Sequence, residues 1–224
     1  MRKELPTRRR KALRRILMAA LLLALANGLL HIGYLLPLQA LGYTEQLQGT
    51  GRTKTVSAFW EPEMHRFQRM YLSENECATM LSSAYLSPLG WASGSGIALD
   101  CAGEAPLHAG RMDMTWQDTD TVHYFFGRVD DPAIASLHVG FWRETSSGRR
   151  EVVSLDSSRE DWLEQEGHTY FLLRQPPFDW LADWGEVHTS LTAYDREGRV
   201  VMELDDIPDG ITYVYGIGVY GIGR

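Results

Sequence analysis

Apolar residues fall along this chain in two regimes. From Ile16 to Leu36 they form one run, ILMAALLLALANGLLHIGYLL, with no acid and no permanently charged base. From about residue 120 they alternate with polar residues in short stretches closed by turns. The first regime holds 21 residues. At ~1.5 Å rise each it would span about 31 Å, the thickness of a bilayer's hydrocarbon core. It predicts a transmembrane helix, or signal anchor, over residues 16–38, with Asn27, Gly28 and His31 as a tolerated polar stripe. The second regime predicts strands: TVHYFFGRV, IASLHVGFW, REVVSLD, HTYFLLR, VHTSLTAYD, RVVMELD and ITYVYGIGVYGIG. Turn signals such as Asp130-Asp131-Pro132, Ser147-Gly148, Pro176-Pro177 and Arg196-Glu197-Gly198 separate them. That density of short strands is expected of an antiparallel β-sandwich.

Between the two regimes the pattern is weaker. Residues 39–59 are polar and rich in Gly and Thr, without sustained periodicity, and read as a linker. Met64, Phe67 and Tyr71, behind Pro62, predict a short amphipathic helix over Glu61 to Leu72. Ser73 to Glu76 fits a capping box and argues for a helix from Glu74, whereas Thr79 to Leu86 suits a strand equally well. The expected organisation is therefore a flank (1–15), the membrane segment (16–38), the linker (39–59) and a β-rich domain (60–224), its sandwich strands mainly in 120–224. Gly216 to Gly221 matches GxGxxG, but three residues follow it, too few for the helix that would hold a pyrophosphate. Ile211, Tyr213, Tyr215, Ile217 and Val219 instead read as one face of a terminal strand.

Charge sharpens the picture. The chain's net −7 is the sum of opposite parts. Residues 1–15 hold eight basic side chains against one acid, and the rest carries 14 basic and 28 acidic groups, a net of −14. Basic flanks stay cytoplasmic, so the acidic body is expected beyond the membrane: a single-pass cell-membrane protein, N-terminus inside, with the lipid bilayer as partner through residues 16–38. The alternative is secretion after signal cleavage, with small residues for a peptidase at Ala24-Leu25-Ala26 or Ala40-Leu41-Gly42. An acidic body also argues against a nucleic-acid partner, because affinity for phosphate comes mostly from Lys and Arg.

Candidate chemistry is sparse. Cys77 and Cys101 both lie in the exported part, where a disulfide is permitted; closing that loop would stabilise by about 3.5 kcal/mol. Two free thiols packed as small apolar groups are the other reading. The histidines lack any metal-ligand spacing, and no G-x-S-x-G elbow occurs. Acidic clusters such as Asp130-Asp131 lack the glycine and distal glutamate of an EF-hand loop, and read as a solvated rim. Most of the seven tryptophans are expected in the core. Trp180 and Trp184 are the candidates for stacking on a sugar or peptide. No residue is assigned a catalytic, cofactor-binding or metal-binding role.

In Phe126-Gly127-Arg128-Val129-Asp130-Asp131-Pro132-Ala133-Ile134, Tyr170-Phe171-Leu172 and Ala193-Tyr194-Asp195-Arg196-Glu197-Gly198, the chain resembles exported β-domains of uncharacterised Gram-positive membrane-anchored proteins. The likeness covers residues 120–205 and consists of strand and turn punctuation. It implies an immunoglobulin-like (Ig-like) sandwich outside the cell and brings no catalytic residues with it. The leading functional expectation is a non-catalytic interaction or envelope module, with an extracytoplasmic protein or glycan as partner. Two alternatives stand beside it: a secreted or anchored hydrolase acting on cell-wall or host polymers, and an extracytoplasmic sensor subunit.

Overall fold

The structure is a computed structural model that describes residues 7–29, 33–62, 67–116, 120–145, 148–176, 187–205, 207 and 209–213. Helices α1 (Thr7–Leu29) and α2 (Pro37–Gln48) precede a body of strands. Sheet A is a meander of β1 (Lys54–Trp60), β2 (Gln68–Glu74), β3 (Ala78–Ser87) and β4 (Gly90–Asp100). Sheet B takes its strands from across the rest of the chain. They are β5 (Leu107–Trp116), β6 (Asp120–Val129), β9 (Leu163–Gln165), β10 (His168–Gln175) and β13 (Asp209–Tyr213), in the order β13-β5-β6-β10-β9. Sheet C runs β12-β11-β7-β8, from β7 (Ser136–Thr145), β8 (Gly148–Ser158), β11 (Val187–Tyr194) and β12 (Val200–Asp205).

Three apolar clusters stack these elements as α2, sheet A, sheet B and sheet C. Ala40 and Leu41 of α2 pack on Tyr71, Met80 and Ala84 of sheet A. On that sheet's other face Met70, Leu72 and Leu81 meet Met112, Met114, Val122, Tyr124 and Phe126 of sheet B. The opposite face of sheet B, including Phe125, Val129 and Phe171, closes on Val139, Phe141 and Leu191 of sheet C. Sheet B is thus covered on both sides. That explains why Tyr124, Phe125 and Phe126 follow one another in β6: alternate residues serve opposite cores.

Several expectations are corrected here. The chain is mainly β, but the body stacks three sheets where a simple sandwich has two, and β13 runs parallel to β5. The proposed linker, 39–59, is ordered structure. Pro37 occupies the first turn of α2, Gly49 ends it in the left-handed region at φ 69°, and β1 follows. The periodicity escaped detection because half of the buried stripe is polar: Ala40 and Leu41 are followed by Thr44 and Glu45. Thr44 pairs its hydroxyl with Ser93 at 2.6 Å, and Glu45 accepts the Thr53 amide at 2.7 Å. The helix expected over Glu61 to Leu72 is not formed, since Gln68–Glu74 is strand β2. Nor does a helix begin at Glu74; Asn75 turns the chain into β3 by accepting the amides of Cys77 and Ala78.

The apolar run itself is divided. Its first part lies in α1, while Tyr34 pairs with Trp91 in both directions, at 2.6 and 2.7 Å, and Pro37 starts a new helix. A continuous helix over 16–38 is therefore not what the chain builds. Among the described residues no helix is long and apolar enough to cross a membrane.

Candidate functional site

A cleft of about 480 Å³ opens where sheet A meets the β9–β10 turn of sheet B. Its walls are Thr50 and Arg52 before β1, Lys54, the β2–β3 turn from Glu74 to Cys77, and Glu166 with His168. Asn75 organises one wall: its Nδ2 donates to the Thr50 carbonyl at 2.7 Å while its Oδ1 holds the turn. Glu166 (φ 50°) and Gly167 (φ 88°) form the opposite wall as a two-residue hairpin turn, the left-handed pair that matches the twist of adjoining strands. Lys54 Nζ spans the mouth to Glu166 at 2.6 Å. The bond to Glu166 raises the Lys54 ammonium above its ordinary range. Both side chains are exposed, so the pair adds little to stability.

Behind the cleft, Asp130 collects three basic groups. Arg128 donates from Nε at 3.0 Å and Nη2 at 2.8 Å; His108 Nε2 lies at 3.4 Å and His168 Nδ1 at 3.8 Å. Arg128 Nη2 also donates to the Cys101 carbonyl at 2.8 Å, which ties sheet B to the end of β4. Burial pushes the Tyr170 phenol well above its ordinary range, and the Glu74 carboxylate adds to the shift. The cleft wall therefore mixes both charge signs. Among the described residues no group of three or more His, Cys, Asp or Glu side chains is placed to hold a metal ion.

Two further polar clusters bind the layers to one another. Glu61, buried just beyond β1, receives Arg174 of β10 at 2.7 and 2.9 Å and the hydroxyl of Tyr124 of β6. Between sheets B and C, Asp113 lies 2.8 Å from His123 and 3.2 Å from Arg111, and Arg111 donates to Thr189 of β11 at 2.8 Å. On the outer face of sheet C, His138 sets Nδ1 2.7 Å from Asp156 and Nε2 3.1 Å from Glu151. Beside it Trp142 donates its indole N–H to Ser190 at 2.6 Å.

The residues singled out from the sequence fare differently. The disulfide expectation is corrected, since Cys77 and Cys101 are both free. They face each other at the end of the β3–β4 ladder, where the Cys101 amide donates to the Cys77 carbonyl at 2.7 Å. The thiol of Cys101 is buried against the hydroxyl of Thr79 at 3.4 Å, while Cys77 is exposed. Trp180 and Trp184 lie outside the described residues.

One surface of the body was not recognisable as such from the sequence. At the end of sheet A beside the α1–α2 connection, Leu35, Leu36, Leu38 and Leu89 are exposed together with Trp60 and Phe67. Tyr34 and Trp91 bridge their backbones there, and the rings of Trp60 and Trp91 stand 6.0 Å apart. The guanidinium of Arg69 lies 5.7 Å from the centre of the Trp60 ring. Leu89 carried the available signal: it is a large apolar residue in a Ser-Pro-Leu-Gly turn, where polar residues ordinarily stand.

No protein-family model, no curated protein and no solved structure matches this chain.

Proposed function

We propose that the chain is a membrane-attached extracytoplasmic β protein whose body serves as a non-catalytic interaction module. One observation carries the reading. Helix α1 presents Leu13, Ile16, Leu17, Met18, Leu21, Leu22 and Leu25 to its surroundings, each more than half exposed. A helix so apolar from Ile16 onward is costly in water, and the basic residues of its first two turns, Arg8 to Arg15, supply the flank which stays on the cytoplasmic side. The acidic body then follows on the other side.

For residues 107–205 the finer reading is an Ig-like sandwich, and strand order supports it. β5-β6-β10-β9 faces β12-β11-β7-β8, and hairpins alternate between the two layers in the way an ABED sheet faces a GFC sheet with one added strand. The stretch from Phe126 to Ile134 is the crossing from one layer to the other, and Ala193 to Gly198 leads through the β11–β12 turn. Sheet A and α2 add a further layer to that unit. An interaction role fits a surface of mixed charge with an open cleft and exposed aromatic side chains.

The test is made in cells expressing the full chain. Retention of the protein in membranes after alkaline carbonate washing, with the body digested by protease added from outside, is the expected result. Release by carbonate, digestion only from the cytoplasmic side, or a mature N-terminus just beyond Ala26 would overturn attachment. Crosslinking in intact cells followed by mass spectrometry should capture a protein or glycan partner. Turnover of glycan or peptide substrates by the purified chain would refute the non-catalytic assignment.

A further inference from the structure

We propose that the exposed apolar end of sheet A is seated in the interfacial layer of the membrane, so that the β body touches lipid directly. The inference rests on the attachment through α1 proposed above.

The first argument is reach. Helix α1 ends at Leu29, and the chain is back on the body by Tyr34, which is bonded to Trp91. Four residue steps from Leu29 to Gly33 extend over at most about 14 Å. Whatever surrounds the end of α1 therefore also lies within reach of this end of sheet A. A distant standing position would need the linker that the sequence suggested at 39–59, and those residues are folded onto the body as α2 and β1.

The second argument is the chemistry of the surface. Leu35 is 88% exposed, Leu89 61%, Leu36 59%, Leu38 58% and Trp60 53%. These side chains come from three separated segments, the α1–α2 connection with the first turn of α2, the end of β1 and the β3–β4 turn, and all are collected at one end of sheet A. Exposed apolar side chains gathered in this way mark a lipid or protein contact, whereas single ones do not. Trp60, Trp91 and Tyr34 stand beside them, the residue types that settle at a membrane's headgroup level. Arg69, half-buried between the rings of Trp60 and Tyr71, places a cation at the same end of the sheet. The neighbouring carboxylate, Glu61, is buried and neutralised by Arg174, so it does not oppose that contact.

The sequence offers a clean probe, because no tryptophan precedes Trp60. Tryptophan fluorescence therefore reports on the body and never on α1. The full chain is reconstituted into phosphatidylcholine vesicles with and without bromine on the upper part of the acyl chains. In parallel the vesicles are washed with alkaline carbonate. Brominated lipid should quench the emission, Trp60→Phe should remove at least half of the quenching, and Leu89→Asp should reduce it twofold or more. Leu89→Asp alters an exposed turn and serves as a check independent of any effect at Trp60. Retention through carbonate without quenching would overturn the seat while leaving attachment intact. Quenching of a protein that carbonate releases would overturn attachment and leave the seat. Absence of quenching together with a crosslinked dimer through this surface would assign it to a second copy of the chain, and the proposal would fail.

Discussion

Glu61 joins two layers through one carboxylate, and its replacement offers the sharpest test of the stacked architecture. It sits at the boundary of sheet A, 2% exposed, and accepts two bonds from Arg174 and one from Tyr124 of sheet B. Burial pushes the Tyr124 phenol far above its ordinary range, with the Glu61 carboxylate adding to the shift, so it remains a donor at any working pH. Glu61→Gln keeps the shape and removes the charge. Breaking a fully buried ion pair costs about 3–5 kcal/mol, because one charge is left uncompensated. Here the Arg174 side chain is 29% exposed and can recruit water, which reduces the expected loss to about 2 kcal/mol. For a chain of this size that lowers Tm by about 4–8 °C. Tyr124→Phe, which removes one neutral donor from a charged acceptor, should cost about 1.5–2 kcal/mol. Urea unfolding followed by circular dichroism measures each value. Arg174→Met added to Glu61→Gln should cost less than the sum of the single losses, since the second change removes the orphaned charge. A Glu61→Gln loss below about 0.5 kcal/mol, or simple additivity in that double variant, would show that the network does not join the layers.

Other consequences are equally open to measurement. A Cβ at Gly127 would stand 1.8 Å from the His108 carbonyl of the adjacent strand, a backbone atom that cannot rotate aside. Gly127→Ala should cost about 3 kcal/mol or abolish soluble expression, and a near-normal urea midpoint would contradict the register between β5 and β6. His138 loses some affinity for its proton through burial, but the Asp156 and Glu151 carboxylates outweigh that and raise its pKa. Its stabilisation is therefore complete below about pH 6.5, the ordinary histidine value, and falls away as pH rises through the higher folded value. Solvent screening of this partly exposed triad limits the effect to less than about 1 kcal/mol. The urea midpoint should drop between pH 6 and pH 8.5 in the native chain and drop less in His138→Gln; identical profiles would remove the triad from the account. For the cysteines, native alkylation without reductant should add one group at Cys77, and a second should appear at Cys101 only on unfolding. Failure of either thiol to react before reduction would restore the bridge.

How far the sequence spoke depended on how many faces each element buries. Sheet C was legible because β8 and β12 each have a wet face: Val153 and Leu155 point inward between exposed Val152, Ser154 and Asp156. β6 was legible for the opposite reason, since an apolar stretch with no wet face is still plainly a strand. Sheet A was obscured. β3 buries Thr79, Ser82 and Ser83 alongside Met80 and Leu81, so its inward residues are not distinguished by polarity. α2 hid its buried stripe in two polar residues, Thr44, whose partner Ser93 lies 49 positions away on β4, and Glu45, whose partner Thr53 lies beyond the end of the helix. The clusters around Asp130 and Glu61 were invisible for the same reason, as Arg174 and Glu61 stand 113 positions apart. The apolar end of sheet A was read as the tail of a membrane helix because Leu35 and Leu36 continue that run without a break in polarity. Only Pro37 and the pairing of Tyr34 with Trp91 separate them from it.

The stacking of sheet B between two others also sets an order in time. Sheet A can pair completely from residues 54–100, a continuous piece of chain, yet its inner face of Met70, Leu72 and Leu81 has nothing to close upon at that stage. Its cover comes from β5, β6 and β10, the last of which ends at Gln175. A growing chain must therefore carry a finished sheet whose apolar face is bare for some 29 residues, until β6 ends at Val129, and lacks Tyr170 until β10 follows, a waiting interval in which association with other chains competes with folding.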